Sequence, residues 1–230
     1  MGEFDSDVHG FLVRRDKCGQ GNVVGQTERF GRKPSCPVGV LKFSDMTVPF
    51  KFGCKPEEPQ AYAYPNIWSR EKTSGSERLV VAPDSGHIAL MQELSSHMAE
   101  PFGILYVLGV PRGQGVAGRY QCPEPVTRPK AAAFLKRFEQ FFESDGRHHV
   151  WLASVSSADL LVYDKHNVIY VYGQLSVFED VLQRRGLKRI DSIRFPDPHI
   201  HNYNPEFDKD ERQILQYWDW KHFPLQESDD

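Results

Sequence analysis

The chain has 230 residues, with 40% hydrophobic and 26% charged side chains and a formal net charge of −3. That length suffices for one full core or for a domain plus an extension, and the charge balance argues against a general nucleic-acid binder, which is usually clearly basic. No apolar run approaches the roughly 20 residues that span a bilayer, and the opening MGEFDSDVHGFLVRRD lacks the basic-then-apolar order of a signal peptide, so the expectation is a cytosolic protein.

Residues 1–76 carry Gly and Pro throughout and show no helical period longer than a turn. Short strands are expected near 38–43 and 47–52, and EKTSGSER, residues 71–78, reads as a linker. The segment is therefore expected to be a loosely structured or partly disordered extension. Met46 is a candidate alternative start, which mass spectrometry of the native amino terminus would reveal. Cys18, Cys36 and Cys54 are evenly spaced, but their flanking sequences do not match, so no repeat stands behind the spacing. With Cys122 they form no C-x-x-C pair, and free thiols are the expected state.

From Arg78 the patterns sharpen into a single domain ending near Phe223, followed by an acidic tail at 224–230. RLVVA predicts a strand. The next segment, with a cap at Asp84 or Ser85, places Ile88, Met91, Leu94 and Met98 near helical spacing. FGILYVLGV, residues 102–110, is nearly all apolar and reads as a central strand buried on both faces. Gly113, Gly115 and Gly118 then spell G-x-G-x-x-G, but no helix opens there, so the segment reads as a glycine-rich hairpin or loop without a nucleotide site.

The following helix is capped by Thr127, and Ala131, Phe134, Leu135, Phe138, Phe141 and Phe142 give it a wide core face. Gly146 is expected in the left-handed position beyond its last turn. A strand at 148–155 and a hairpin at 159–163 and 168–172 follow, turning at Asp164-Lys165-His166-Asn167. Ser176 and Glu179 have capping-box spacing for the next helix, which should end at Gly186 and Leu187 in a Schellman motif. KRIDSIRF predicts a last strand, and Asn204-Pro205 the start of a last helix. Consecutive strands in this order form an antiparallel meander over 149–172. The fold class is α+β: one mainly antiparallel sheet, with flanking strands, covered by helices.

Five of the nine histidines lie between 148 and 201. In an extended FPDPHIHNYN, His199 and His201 point to the same side and present two imidazoles to one metal. His148 or His149 at a strand mouth could add a third nitrogen, and Asp208 a carboxylate. Three protein ligands and a water form a catalytic zinc site. The plainer alternative is a hydrogen-bonded corner with no metal. His166, in a tight turn, needs no special role on sequence grounds. Ser154, Ser156 and Ser157 lack a G-x-S-x-G elbow, and Cys122 lacks an activating sequence neighbour.

Residues 197–230 hold nine Asp or Glu against three Lys or Arg. Tyr217, Trp218, Asp219 and Trp220 there combine aromatic rings with charge, as protein interfaces do, and an acidic surface suits a basic protein partner. The hairpin LLVYDKHNVIYVYG followed by FEDVLQRRG, residues 160–186, resembles segments of small uncharacterised cytosolic bacterial proteins, some of the toxin-immunity kind. That resemblance implies a binding protein without chemistry or a cofactor of its own. The leading expectation is thus non-catalytic protein binding, and the alternative is a metal-dependent hydrolase built on the PHIH stretch, with zinc as its ion.

Overall fold

The computed structural model describes residues 49–54, 57 and 59–229. In chain order these form β1 (Phe52–Cys54), β2 (Gln60–Ala61), β3 (Ile67–Lys72), β4 (Glu77–Ala82), α1 (His87–Ser95), β5 (Phe102–Leu108), β6 (Gly118–Gln121), α2 (Arg128–Arg137) and α3 (Glu139–Ser144). There follow β7 (His148–Ser154), β8 (Leu160–Tyr163), β9 (Ile169–Tyr172), α4 (Leu175–Arg184), β10 (Lys188–Arg189), β11 (His199–His201), α5 (Asp208–Leu215) and β12 (Lys221–Phe223). A nine-stranded sheet runs β10-β3-β4-β9-β8-β7-β5-β6-β12. All its pairings are antiparallel except β10 with β3. A three-stranded sheet, β11-β1-β2, completes an α+β fold.

The alternation along the strands assigns the faces. Leu79 and Val81, Ile104 and Tyr106, Val150 and Leu152, and Leu161 and Tyr163 join one core with the apolar faces of α1 to α4. The phenylalanines at 134, 138, 141 and 142 lie in that core as their spacing predicts. Their helix divides at Phe138, where φ is −106°. The opposite face carries two smaller clusters. One joins Phe52 and Tyr64 to Val80, Ala82, Val168 and Ile193, so the small sheet packs over the β4–β9 end of the large one.

Several local expectations are corrected. EKTSGSER is a hairpin turn, not a linker: β3 pairs with β4 from Ile67↔Ala82 to Lys72↔Glu77, and Thr73 Oγ1 accepts the Ser76 amide at 3.1 Å. The domain boundary expected near Arg78 is therefore wrong, since residues 49–77 supply strands to both sheets; the strand expected at 38–43 lies outside the described residues. The acidic tail is anchored too, because Asp229 is buried 3.7 Å from Arg119. Helix α1 starts after Gly86, whose φ of 66° takes over the capping position from Asp84 or Ser85. Helix α4 starts after Gln174 and not from a Ser176 capping box, although Gly186 at φ 80° and the Leu187 amide on Leu182 O, 3.0 Å, close it as expected. KRIDSIRF forms strand only at Lys188–Arg189.

Candidate metal centre

The PHIH stretch is an edge strand of the small sheet. β11 pairs antiparallel with β1, placing Phe52 opposite His201 and Cys54 opposite His199. Directly opposed residues share a face, as do residues two apart, so these four side chains lie together. Gly53 between them is required by close approach: a Cβ there would meet Gln60 O at 2.5 Å and the Phe50 ring at 2.7 Å. Gly146 serves β11 the same way. It is not left-handed as expected; a Cβ on it would stand 2.9 Å from Lys51 O and 3.1 Å from His201 Cβ. Its amide donates to Asn202 O at 2.8 Å, and the Asn202 amide donates to Lys51 O at 3.0 Å.

The third histidine is His166, which sequence reasoning set aside. The β8–β9 turn carries it from the large sheet to the small one. The ring centroids of His166 lie 5.4 Å from His199 and 4.9 Å from His201, with His199 and His201 5.5 Å apart. One ligand nitrogen from each falls within 4.8 Å of the other two. Phe52 floors the group at 5.5–5.7 Å from all three rings, and Phe195 flanks His166 at 4.9 Å. His199 is exposed and the other two are half-buried, so the group opens to solvent.

The turn that presents His166 is held at Asp164, His166 and Asn167. The Asp164 amide donates to Val168 O and the Asn167 amide to Asp164 O. Asn167 takes a φ of 65°, a conformation Asn tolerates. Tyr163 Oη donates to Asn167 Oδ1 at 2.6 Å, Tyr64 Oη donates to His166 O at 3.3 Å, and His87 Nε2 donates to Asn167 O at 3.0 Å. Within the turn, Asp164 Oδ1 accepts both the backbone amide of His166, 2.6 Å, and its ring Nδ1, 2.5 Å.

The nitrogens left over suit metal coordination. His166 Nδ1 is engaged by Asp164, and His199 Nδ1 donates to Pro196 O at 3.1 Å, which leaves each Nε2 as the lone-pair nitrogen. Among the described residues, His201 Nδ1 is buried with no hydrogen-bond partner. Burial, with smaller contributions from the neighbouring His166, Lys165 and His199, lowers His201 to about 4, so its ring is neutral at pH 7 and able to bind a cation. Burial opposes ionisation of Asp164, but the His166 bond and the nearby imidazoles outweigh it and hold the carboxyl well below the usual carboxylate range.

The other sequence candidates fall elsewhere. His148 and His149 are neighbours on β7 and point to opposite faces. His148 lies among Phe141, Phe142 and Tyr106, at 4.4, 5.3 and 5.5 Å, on the helix side of the sheet. His149 faces the other way, with Nδ1 3.5 Å from Asp164 Oδ2, one residue removed from the three-histidine group. Asp208 accepts from Arg147 Nη1 and Arg112 Nε, each at 3.1 Å, and does not join the histidines. Trp218 stacks on Phe134 at 4.6 Å, Tyr217 meets Phe138 at 5.6 Å, and Trp220 Nε1 donates to Ile214 O. These rings, expected at an interface, pack against the main core, and of that set Asp219 alone is exposed.

A signal for His166 did exist. Asp-Lys-His in a hairpin turn places a carboxylate two residues before an imidazole, the spacing at which an aspartate bonds the backbone ahead of it. The pairing of β11 with β1 had no such signal. No family model matches the chain, and no curated protein or solved structure is significantly similar to it. No helix among the described residues is long and apolar enough to cross a membrane.

Proposed function

We propose that the protein is a metal-dependent hydrolase that holds a divalent transition ion, zinc fitting best, on His166, His199 and His201. One observation carries this reading: three imidazole nitrogens from two different sheets converge on a solvent-open face. In a tetrahedral zinc site with bonds of about 2.0–2.1 Å, ligand nitrogens stand about 3.4 Å apart, so modest rotation of the three rings closes the set. Imidazole donors favour zinc, copper, nickel or iron over magnesium or calcium, which prefer oxygen. An ion held by these three histidines would have room for a bound water and would supply Lewis-acid activation of it toward neutral pH. The chain's own contribution is orientation: Asp164 and Pro196 O fix two rings, and Phe52 excludes water from beneath the group.

The test is zinc binding by calorimetry and elemental mass spectrometry on wild type and a His199→Ala/His201→Ala variant. One zinc per chain is expected in wild type and none in the variant. An ion in 100-fold excess over its Kd should also stabilise the fold by about 2.7 kcal/mol. Zinc-dependent turnover of ester or phosphoester reporters by wild type alone would support the hydrolytic part. No binding of zinc, copper, nickel or iron by wild type would sink the reading.

A further inference from the structure

We propose that Asp164 is the positioning carboxylate of the metal centre, and that His149 braces it from behind without touching the ion. The inference rests on the metal reading of His166, His199 and His201.

His166 sits at a turn tip, where a side chain ordinarily turns freely in solvent. Here its ring is drawn back by Asp164 Oδ1, which accepts Nδ1–H at 2.5 Å while accepting the backbone amide of the same residue at 2.6 Å. Two bonds to one oxygen fix both the χ1 swing and the ring flip. A carboxylate accepts and never donates, so it selects the Nδ1–H tautomer and directs the Nε2 lone pair outward. Metal-bound histidines commonly have such a carboxylate on the far nitrogen, where it raises ligand basicity and fixes orientation.

The second oxygen of Asp164 faces His149 Nδ1 at 3.5 Å. Both residues are buried, Asp164 to 7% and His149 to 8% exposure. His149 comes from β7, whose next residue, Val150, pairs with Tyr163 immediately before Asp164. A rigid central strand thus supports the carboxylate that steers a residue on a turn. This gives His149 a place in the centre that its distance from the other imidazoles denies it as a ligand.

The variant that separates charge from fold is Asp164→Asn. Asparagine keeps an oxygen for the His166 amide and so preserves the turn, but removes the negative charge. Zinc affinity should fall by about 10- to 100-fold with the thermal midpoint of the metal-free protein little changed. Long-range proton–nitrogen NMR of metal-free wild type should show His166 protonated on Nδ1, and Asp164→Ala should shift it toward Nε2–H. His149→Phe should weaken zinc several-fold, and His149→Gln, which can still donate to Oδ2, should recover part of that loss. Wild type that binds zinc while Asp164→Asn binds it equally well overturns this inference and leaves the proposed function standing. His166 protonated on Nε2 in wild type overturns it as well, and equal zinc affinity in wild type and His149→Phe overturns the brace. Wild type that binds no metal overturns the centre itself, a result distinguishable from the others.

Discussion

Two polar clusters flank the same stretch of chain, and they are opposite in kind. Arg147 is fully buried in the link between α3 and β7, and its guanidinium is saturated. Nε and Nη2 donate to the two oxygens of Asp145, Nη1 to Glu211 and Asp208, and Nη2 also to Asn204 O. The carboxylates are filled in turn: Glu211 accepts the Arg112 and Gly113 amides, and Asp145 those of Arg147 and Asn204. A few residues away, three histidines bring one ligand nitrogen each to within 4.8 Å of the others, and among the described residues His201 Nδ1 is buried without a hydrogen-bond partner. A network with every donor and acceptor used locks structure and has nothing left to offer a ligand. Polar atoms held in place yet unsatisfied are the expected mark of a binding site. One cluster pairs a guanidinium with carboxylates and the other gathers imidazoles over one carboxylate, and saturation is the property that most separates them.

The largest effect should come from breaking the saturated cluster. Arg147→Met leaves Asp145 and Glu211 buried with no counter-charge, a loss of about 3–5 kcal/mol by the measure of other buried ion pairs. Urea denaturation should show it. A loss under about 1 kcal/mol would mean that the network contributes little beyond its geometry.

The sequence made much of the fold legible. The phenylalanine helix, the 148–172 meander and the glycine end of α4 are written in local periodicity and turn chemistry, and they form as that periodicity demands. What failed was non-local. A strand was expected near 47–52, but it forms at Phe52–Cys54, where pairing with β11 almost 150 residues later sets its place. The site was half legible for the same reason. His199 and His201 share a face by the two-residue period of an extended chain, which local spacing reveals. Their companion depends on the small sheet packing over the β8–β9 turn, which spacing does not reveal, and so His148, His149 and Asp208 were preferred to His166. The aromatic residues near the carboxyl end were ambiguous between interface and core, and the rings of Phe134 and Phe138 decide where they pack.

Lys51 lies between the two clusters and sharpens the contrast by pH. Its ammonium is buried, donates to Phe142 O at 3.1 Å and lies 3.7 Å from the Tyr163 ring centre, with no carboxylate bonded to it among the described residues. Burial, only partly opposed by Asp164, Asp145 and Glu143, takes it from its ordinary 10.5 to about 7. Between pH 7 and 10.5 the unfolded chain then holds a proton that the folded chain has released. Stability from this group therefore rises with pH across that window and is flat below it. Lys51→Met should abolish the rise and stabilise the protein at pH 7 by about 1–3 kcal/mol, as hydrophobic replacement of buried charge often does. Parallel denaturation curves for wild type and variant at pH 7 and 9.5 would contradict the assignment if the gap between them did not narrow at the higher pH.

The smallest effect is the most discriminating between the clusters. Asp208 was a metal candidate on sequence grounds, and the structure gives it to the saturated network, on Arg147 and Arg112 at a partly exposed edge. Asp208→Asn keeps an oxygen for both guanidinium groups and removes one charge. The expected cost is about 1 kcal/mol or less, because Arg147 retains Asp145 and Glu211, and water screens the edge. Zinc affinity should be unchanged, since no bond joins Asp208 to the three histidines. Asp164→Asn makes the same chemical change in the other cluster and should show the reverse pattern, near-native stability with weakened zinc. Two Asp→Asn substitutions with opposite signatures would demonstrate that saturation, and not charge, divides the structural cluster from the functional one. A fall in zinc affinity in Asp208→Asn would join the two clusters into a single functional unit and defeat that division.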